Sequence, residues 1–116
     1  MVESHRKLHV WQRAVELSIA IYRLTASFPK HEIYGLTNQL RRAGVSVASN
    51  IAEGYGRGSR GEYKQFLCFA RGSNLEVQTP LIIAKELQFA GTRTIEAVEH
   101  LTVEIDKMLN TLLKKL

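Results

Sequence analysis

Apolar residues recur every three or four positions in four segments of this chain, and the first three segments end at a proline or at glycines. That spacing is the period of an α-helix that buries one face, whereas a half-buried strand alternates at every second residue. The chain is therefore predicted to be all-α, with four helices. The clearest periodicity lies in the last segment, at Ile95, Val98, Leu101, Ile105, Met108, Leu109, Leu112 and Leu116.

The first helix is predicted between Leu8 and Phe28, because the residue before Pro29 is disfavoured in the helical conformation. The third is predicted from about Gly61 to Phe89, and Gly91 separates it from a fourth that begins at Thr92 or Thr94. The apolar face of the first helix is predicted to comprise Leu8, Trp11, Val15, Ser18, Tyr22 and Thr25, flanked by Leu17, Ile21, Leu24 and Phe28.

The second helix is predicted to begin near Glu32 or Thr37. Its small and β-branched residues between positions 43 and 49 have some preference for strands. Helix is favoured because the periodic spacing extends further than most strands do. A glycine inside this helix, Gly44, predicts a close contact between helices. The periodic positions are Leu36, Leu40, Ala43, Val47 and Ile51.

Short connections between four helices favour an antiparallel up-and-down bundle. At 116 residues, the chain is long enough for one core, so a single domain spanning 1–116 is predicted. The lone cysteine, Cys68, lies in an apolar run and is predicted to be a buried thiol. The segment from Met1 to Arg6 lacks the apolar core of a signal peptide, and no apolar run is long enough to span a membrane, so a cytoplasmic protein is expected.

The sequence contains no recognisable catalytic constellation or metal site. The four histidines are far apart in sequence, and none follows a glutamate in the Glu-x-x-His pattern of di-iron bundles. The protein is therefore predicted to be non-enzymatic, with no cofactor. The histidines are His5, His9, His31 and His100.

Four glycines occur within eight residues between Gly54 and Gly61. Such a stretch can bind phosphate, but this one follows a helix and lacks the Lys-Ser/Thr ending of a nucleotide-binding loop. A turn is favoured instead, with Gly54 closing the second helix and Ser59 capping the third. Glu62, three residues after Ser59, completes a capping box.

Positive charge is concentrated in the middle of the chain. The formal net charge is +5, and the window from position 41 to 71 contains six basic residues against two acidic ones. Such a cluster suits contacts with nucleic-acid phosphates, so nucleic-acid binding is one hypothesis, and a structural or protein-interaction scaffold without nucleic acid is the other. The candidate phosphate-binding residues are Arg41, Arg42, Arg57, Arg60, Lys64 and Arg71.

Several polar residues lie on or beside the packing face of the second and third helices. A metal site or a carboxylate pair would require these residues to converge, and a buried network that satisfies its own hydrogen bonds is the favoured interpretation. The predicted network comprises Gln39, Ser46, Asn50, Glu53, Ser73 and Glu76.

Four motifs resemble one known family in their order and spacing, over the chain from Leu8 to the last helix. It is the four-helix bundle family named after proteins encoded in intervening sequences of large-subunit ribosomal RNA genes. The motifs are Leu8-x-Val10-Trp11-x-x-Ala14, Phe28-Pro29-x-x-Glu32-x-Tyr34-Gly35-Leu36-x-x-Gln39-Leu40-Arg41-Arg42-Ala43, Ser46-Val47-x-x-Asn50-Ile51-Ala52-Glu53-Gly54 and Ala70-x-Gly72-Ser73-x-x-Glu76.

The resemblance implies an assembly as well as a fold. The same family includes accessory proteins of diversity-generating retroelements, which form rings of five bundles and bind nucleic acid and a reverse transcriptase. The resemblance therefore implies a homo-oligomer, with five subunits favoured. It also implies RNA, DNA or a reverse transcriptase as partners. Apolar residues outside the predicted core faces also favour self-association, at Val10, Ile19, Ile21, Leu75, Ile82, Ile83 and Phe89.

Overall fold

Four α-helices and no strand make up residues 4–116, the part of the chain that the structure, a computed structural model, describes. Helix α1 spans His9–Thr25, α2 spans Leu36–Gly56, α3 spans Arg60–Glu86 and α4 spans Thr92–Lys114. Single 3-10 turns precede α1, at His5–Lys7, and α2, at Lys30–Glu32. The all-α prediction is confirmed over these residues. Residues 1–3, part of the segment in which no signal peptide is expected, lie outside them.

Each helix packs against two others. Consecutive helices are in contact, and α1 also contacts α4, so the four surround one core within a body of 43 × 23 × 20 Å. These neighbours and the short connections fit the predicted up-and-down bundle. The fully buried side chains with the largest volumes come from all four helices and include Leu17, Leu40, Leu67, Leu81 and Leu109.

The local signals at the helix ends act largely as predicted. The Ser59 hydroxyl accepts a hydrogen bond from the backbone N–H of Glu62, at 3.2 Å, which satisfies one of the unpaired amides in the first turn of α3. Gly54, however, does not close α2, because the helix continues to Gly56. The left-handed turn falls instead at Gly58, where φ is +82°.

Glycine at position 44 allows α1 and α2 to approach closely, as predicted. A Cβ at Gly44 would lie 2.7 Å from Cδ1 of Ile21, a core side chain of α1. The close approach explains why the helix tolerates the lower propensity of glycine at this position.

The buried face of α1 differs from the predicted one. It comprises Val10, Ala14, Leu17, Ile21, Leu24 and Thr25, whereas Tyr22 is exposed and Trp11, Val15 and Ser18 are only partly buried. Both sets of positions have spacings of three and four, so periodicity alone does not distinguish them. As a result, Val10 and Ile21 belong to the core and are wrong as candidates for self-association. Ile19 stays exposed, as do Leu75, Ile82 and Ile83, while Phe89 packs against the core.

Two further predictions are corrected. Cys68 is exposed rather than buried, because the core face of α3 passes through Leu67 and Ala70 and leaves position 68 on the outside. The third helix ends at Glu86 and not at Phe89. The chain turns at Gln88, whose φ of 58° lies in the left-handed region.

Candidate nucleic-acid interface

One end of the bundle brings together segments from both ends of the chain. Helices α1 and α3 begin there, and α2 and α4 end there. A groove between the first turn of α1 and the last turns of α4 is lined by Leu8 and His9 on one side and by Lys107 and Lys115 on the other. The 3-10 turn at His5–Lys7 packs against α1 and α2 at the same end.

This end, which we call the basic end, is strongly cationic. Its acidic residues are Glu53, Glu62 and Asp106, the neighbour of Lys107, so with its eight basic residues it has a formal net charge of +5. All residues of 4–116 together carry +6, from 16 basic and 10 acidic residues, so nearly all of the net charge of the described residues lies at one end of the bundle. Eight basic residues form it: Arg6, Lys7, Arg57, Arg60, Lys64, Lys107, Lys114 and Lys115.

Most of these cations are exposed and form no ion pair with the described residues. Arg60 and Lys64, at the start of α3, form no ion pair with any residue of 4–116. Arg57 differs, because its Nε lies 3.3 Å from a carboxylate oxygen of Glu53 and its Nη1 lies 3.7 Å from one of Glu62. Its guanidinium also lies 4.9 Å from the centre of the Phe66 ring. Arg57 is thus less available than Arg60 or Lys64 to bind a phosphate.

The other predicted phosphate contacts do not belong to this end. Arg41 donates from Nε to the Thr25 hydroxyl at 2.9 Å and lies over the Tyr22 ring, so it joins α2 to α1. Arg71 Nε lies 3.4 Å from Asp106 Oδ1 on α4.

Arg42 is exposed, but it lies roughly 22 Å from Arg57 along the axis of α2 at about 1.5 Å per residue. The window from 41 to 71 is therefore not one continuous surface, and the lysines of α4 are part of the basic end that the window misses.

Two aromatic side chains pack against each other beside the basic end. Tyr55 on α2 and Tyr63 on α3 meet edge to face, with ring centres 6.0 Å apart. Burial, followed by the interaction with Tyr55, raises the pKa of Tyr63. These rings join the end of α2 to the start of α3, on either side of the turn that contains Arg57.

The structure connects half of the predicted polar network. The hydroxyl oxygens of Ser46 and Ser73 lie 2.8 Å apart, and Asn50 donates from Nδ2 to the hydroxyl and the carbonyl oxygen of Ser46, each at 2.9 Å. Gln39 and Glu76 are exposed, and both line a groove between α2 and α3. Glu53 is exposed and pairs with Arg57 instead.

A second polar cluster, between α3 and α4, is absent from the sequence-based interpretation. Asn74 is fully buried and donates from Nδ2 to the carbonyl oxygen of Thr102, at 2.8 Å. Gln78 donates to the Thr102 hydroxyl, at 3.3 Å. The sequence does indicate that Asn74 is buried, because Asn74 lies four residues after Ala70 and three before Val77, within the core stripe of α3.

Ion pairs connect α4 to both of its neighbours. Arg13 on α1 donates to Glu104, with 2.9 Å between Nη2 and Oε1, and this hydrogen bond is the main reason why the pKa of Glu104 is lowered. On α3, Lys85 Nζ lies 2.7 Å from Oε1 of Glu99, and that bond raises the pKa of Lys85.

Residues 4–116 contain no group of three histidine, cysteine, aspartate or glutamate side chains placed to hold a metal ion. None of their helices combines the length and the apolar character needed to cross a membrane.

Comparison with known proteins identifies the family. The model of the family described as 23S rRNA-intervening sequence protein matches residues 6–111. The chain belongs to this family. The resemblance of the four motifs to proteins of ribosomal RNA intervening sequences is thereby confirmed.

A solved structure has the same fold. It is the crystal structure of a protein of unknown function from the S23 ribosomal protein family of Bacteroides thetaiotaomicron, with a TM-score of 0.81 and 21% sequence identity. The match covers 90% of this chain and 98% of that one. No match was found among curated proteins.

Proposed function

We propose that this protein binds nucleic acid, without catalysing a reaction, through its basic end. The observation that carries the proposal is the concentration at that end of nearly all the net positive charge of residues 4–116. Binding to phosphates is mostly electrostatic, and each cation that replaces a condensed counterion adds to affinity irrespective of base sequence. Little sequence preference is therefore expected.

Several cations of the basic end form no ion pair with the described residues, and this supports the proposal. Arg60, Lys64 and Lys115 need not leave an ion pair within residues 4–116 before they contact a phosphate. Arg60 and Lys64 lie at the start of α3, and Lys115 directly follows the end of α4, so none of the three lies on a long loop. The proposal covers both RNA and DNA as the bound nucleic acid. A reverse transcriptase as partner stays a prediction, and so does a cytoplasmic location.

Two matched triple variants test the proposal. Replacing Arg60, Lys64 and Lys115 by glutamine should weaken binding to a duplex at low salt by at least about tenfold, because phosphate contacts are lost. The control replaces Arg23, Lys30 and Arg93 by glutamine, which removes the same charge from exposed positions at the opposite end. Fluorescence anisotropy measures both. Equal losses in the two variants would contradict a localised interface.

We further propose that the protein forms a closed homo-oligomer, with five subunits favoured. The family resemblance supplies the number, and the exposed Leu75, Ile82 and Ile83 supply apolar surface for contacts. A ring would repeat the basic end in each subunit and increase avidity without any new contact. Light scattering after size exclusion tests it. A mass near the 13.1 kDa of one chain would contradict the oligomer, and a dimer would contradict the ring.

The second candidate function is a scaffold that binds only proteins. The exposed Tyr34, with 92% of its surface accessible, favours it, because exposed aromatic residues are enriched at protein interfaces. An oligomer that binds neither RNA nor DNA at low salt would favour the scaffold over the nucleic-acid hypothesis.

A further inference from the structure

Exposed apolar side chains are concentrated on two surfaces of the bundle. Of the eleven large apolar side chains that are exposed within residues 4–116, eight lie on these surfaces, and Ile19, Phe69 and Val103 lie elsewhere. Single exposed apolar residues are normal on monomers, but clusters of them mark interaction sites.

The first surface is a groove on α2, which we call the α2 groove. It has a volume of about 570 Å³ and lies beside the connection between α1 and α2. Its apolar walls come from Tyr22, Ile33, Tyr34 and Val45. Tyr34 is almost fully accessible, so no residue of 4–116 covers this part of the groove.

The α2 groove is also cationic. Arg41 and Arg42 line it. The guanidinium of Arg41 bonds to a neutral hydroxyl, that of Thr25, and Arg42 forms no ion pair within residues 4–116. Neither positive charge is therefore neutralised by a carboxylate of the described chain.

The second surface is the α3 outer face, the side of α3 directed away from the core. It comprises Leu75, Thr79, Ile82, Ile83, Glu86 and Leu87, which follow each other at helical spacings, as in 75, 79, 82 and 86. Leu75, Ile82 and Ile83 are 48%, 52% and 41% accessible. A helix face that points to water is normally rich in charge, but the charged residue here is Glu86.

The charges of the two surfaces are complementary. Glu86 lies on the α3 outer face and forms no ion pair within residues 4–116. Glu76 also forms none, but it lines the groove between α2 and α3. The α3 outer face thus carries an unpaired carboxylate, whereas the α2 groove carries the guanidinium groups of Arg41 and Arg42, which no carboxylate of residues 4–116 neutralises.

We propose that the α2 groove of one copy of this chain receives the α3 outer face of a second copy. The inference rests on the proposed oligomer and specifies its interface. The contact joins two different surfaces, so an open row of copies leaves one α2 groove and one α3 outer face unoccupied, at its two ends, until a ring closes. Because α2 and α3 are adjacent helices of the bundle rather than opposite ones, successive copies turn relative to each other, which favours a closed ring over a straight filament.

Two point variants, each of which disables one surface, test the pairing. Val45→Glu places a negative charge in the α2 groove, where it opposes Glu86 of the neighbouring copy. Ile82→Lys places a positive charge on the α3 outer face, where it opposes Arg41 and Arg42. Val103→Glu, on α4, is the matched control, since Val103 is 47% accessible and lies outside both surfaces. All three positions are exposed, and unchanged circular dichroism verifies the fold.

The expected result comes from light scattering of each variant and of a mixture. Val45→Glu alone and Ile82→Lys alone should have the mass of one chain, and Val103→Glu should keep the wild-type mass. An equimolar mixture of Val45→Glu and Ile82→Lys retains one intact pair of surfaces, so it should form a 1:1 complex of about twice 13.1 kDa or larger species with equal numbers of both chains.

Other results would overturn the inference in distinguishable ways. A monomeric wild type contradicts the proposed oligomer itself. A wild-type oligomer that survives Val45→Glu or Ile82→Lys contradicts this interface and leaves the oligomer standing. Monomeric variants whose mixture stays monomeric show that the two surfaces do not contact each other. If Val103→Glu also dissociates the oligomer, any added charge on the surface has this effect, and that result contradicts the assignment of the interface to these two surfaces.

Discussion

A methyl group at Gly54 on α2 would lie 2.6 Å from the Cβ of Phe66 on α3, closer than non-bonded carbon atoms approach each other. It would also lie 3.3 Å from the backbone oxygen of Tyr63. A Cβ atom and a carbonyl oxygen are fixed to the backbone and cannot rotate away. The absence of a side chain at Gly54 thus sets the distance between α2 and α3 beside the basic end.

Gly54→Ala should therefore destabilise the protein, although alanine has the higher helix propensity by about 1 kcal/mol. The matched control is Gly72→Ala in the interior of α3, where an added Cβ meets no atom within 4 Å. That variant should be more stable than wild type by roughly 0.5–1 kcal/mol. Urea titration gives both free energies of unfolding. A stabilising Gly54→Ala would show that the two helices separate at little cost.

Asn74→Asp should lower stability more at pH 7 than at pH 5. The site is fully buried, and the carbonyl oxygen of Thr102 that Asn74 contacts needs a donor, which a carboxylate is not. Burial raises the pKa of the new carboxyl above its unfolded value. Stability then falls as the pH rises from the unfolded pKa to the folded one, by up to about 1.4 kcal/mol per pH unit.

Urea titrations at several pH values measure this slope. Asn74→Leu is the control, because it removes the same amide without adding a titratable group. A slope for Asn74→Asp that matches those of Asn74→Leu and wild type would contradict a buried carboxyl at this position.

Glu104 should contribute to stability at neutral pH and lose its contribution in acid. Its hydrogen bond from Arg13 lowers its folded pKa, so the contribution is present above the unfolded pKa and disappears as the pH falls through the folded pKa. The pair is exposed, so the effect is small and weakens with salt.

Thermal melting between pH 7 and 3 tests this contribution. Glu104→Gln should melt below wild type at pH 7, and the difference should vanish toward pH 3. Glu76→Gln is the control, because Glu76 forms no ion pair within residues 4–116. A constant difference over the whole pH range would indicate that the pair is not responsible.

The helical fold could be predicted because local signals and periodicity agree at most positions. Leu40, Val47, Leu67 and Ile105 recur at the spacing of a buried face and are fully buried. The face of α1 could not be chosen in this way, because Trp11 and Tyr22 extend a second stripe with the same period as the true one. Contacts between helices, such as that of Ile21 with Gly44, decide between the two.

The basic end could be predicted only in part. Arg60 and Lys64 lie close together in sequence, and the charge of the window indicates them. Lys114 and Lys115 are far from that window, and only the packing of α4 beside α1 brings them to the same end. The predicted up-and-down bundle contained this information, since in such a bundle the end of the fourth helix meets the start of the first.

The salt dependence of nucleic-acid binding tests the central claim most directly. Anisotropy titrations of wild type, of the Arg60, Lys64 and Lys115 triple variant, and of the Arg23, Lys30 and Arg93 control should each give a straight line of log K against log salt. The basic-end variant should have the shallower slope, by about 0.9 for each of its three side chains that contacts a duplex phosphate, while the control keeps the wild-type slope. Equal slopes for all three proteins, or no binding by wild type at low salt, would contradict the claim.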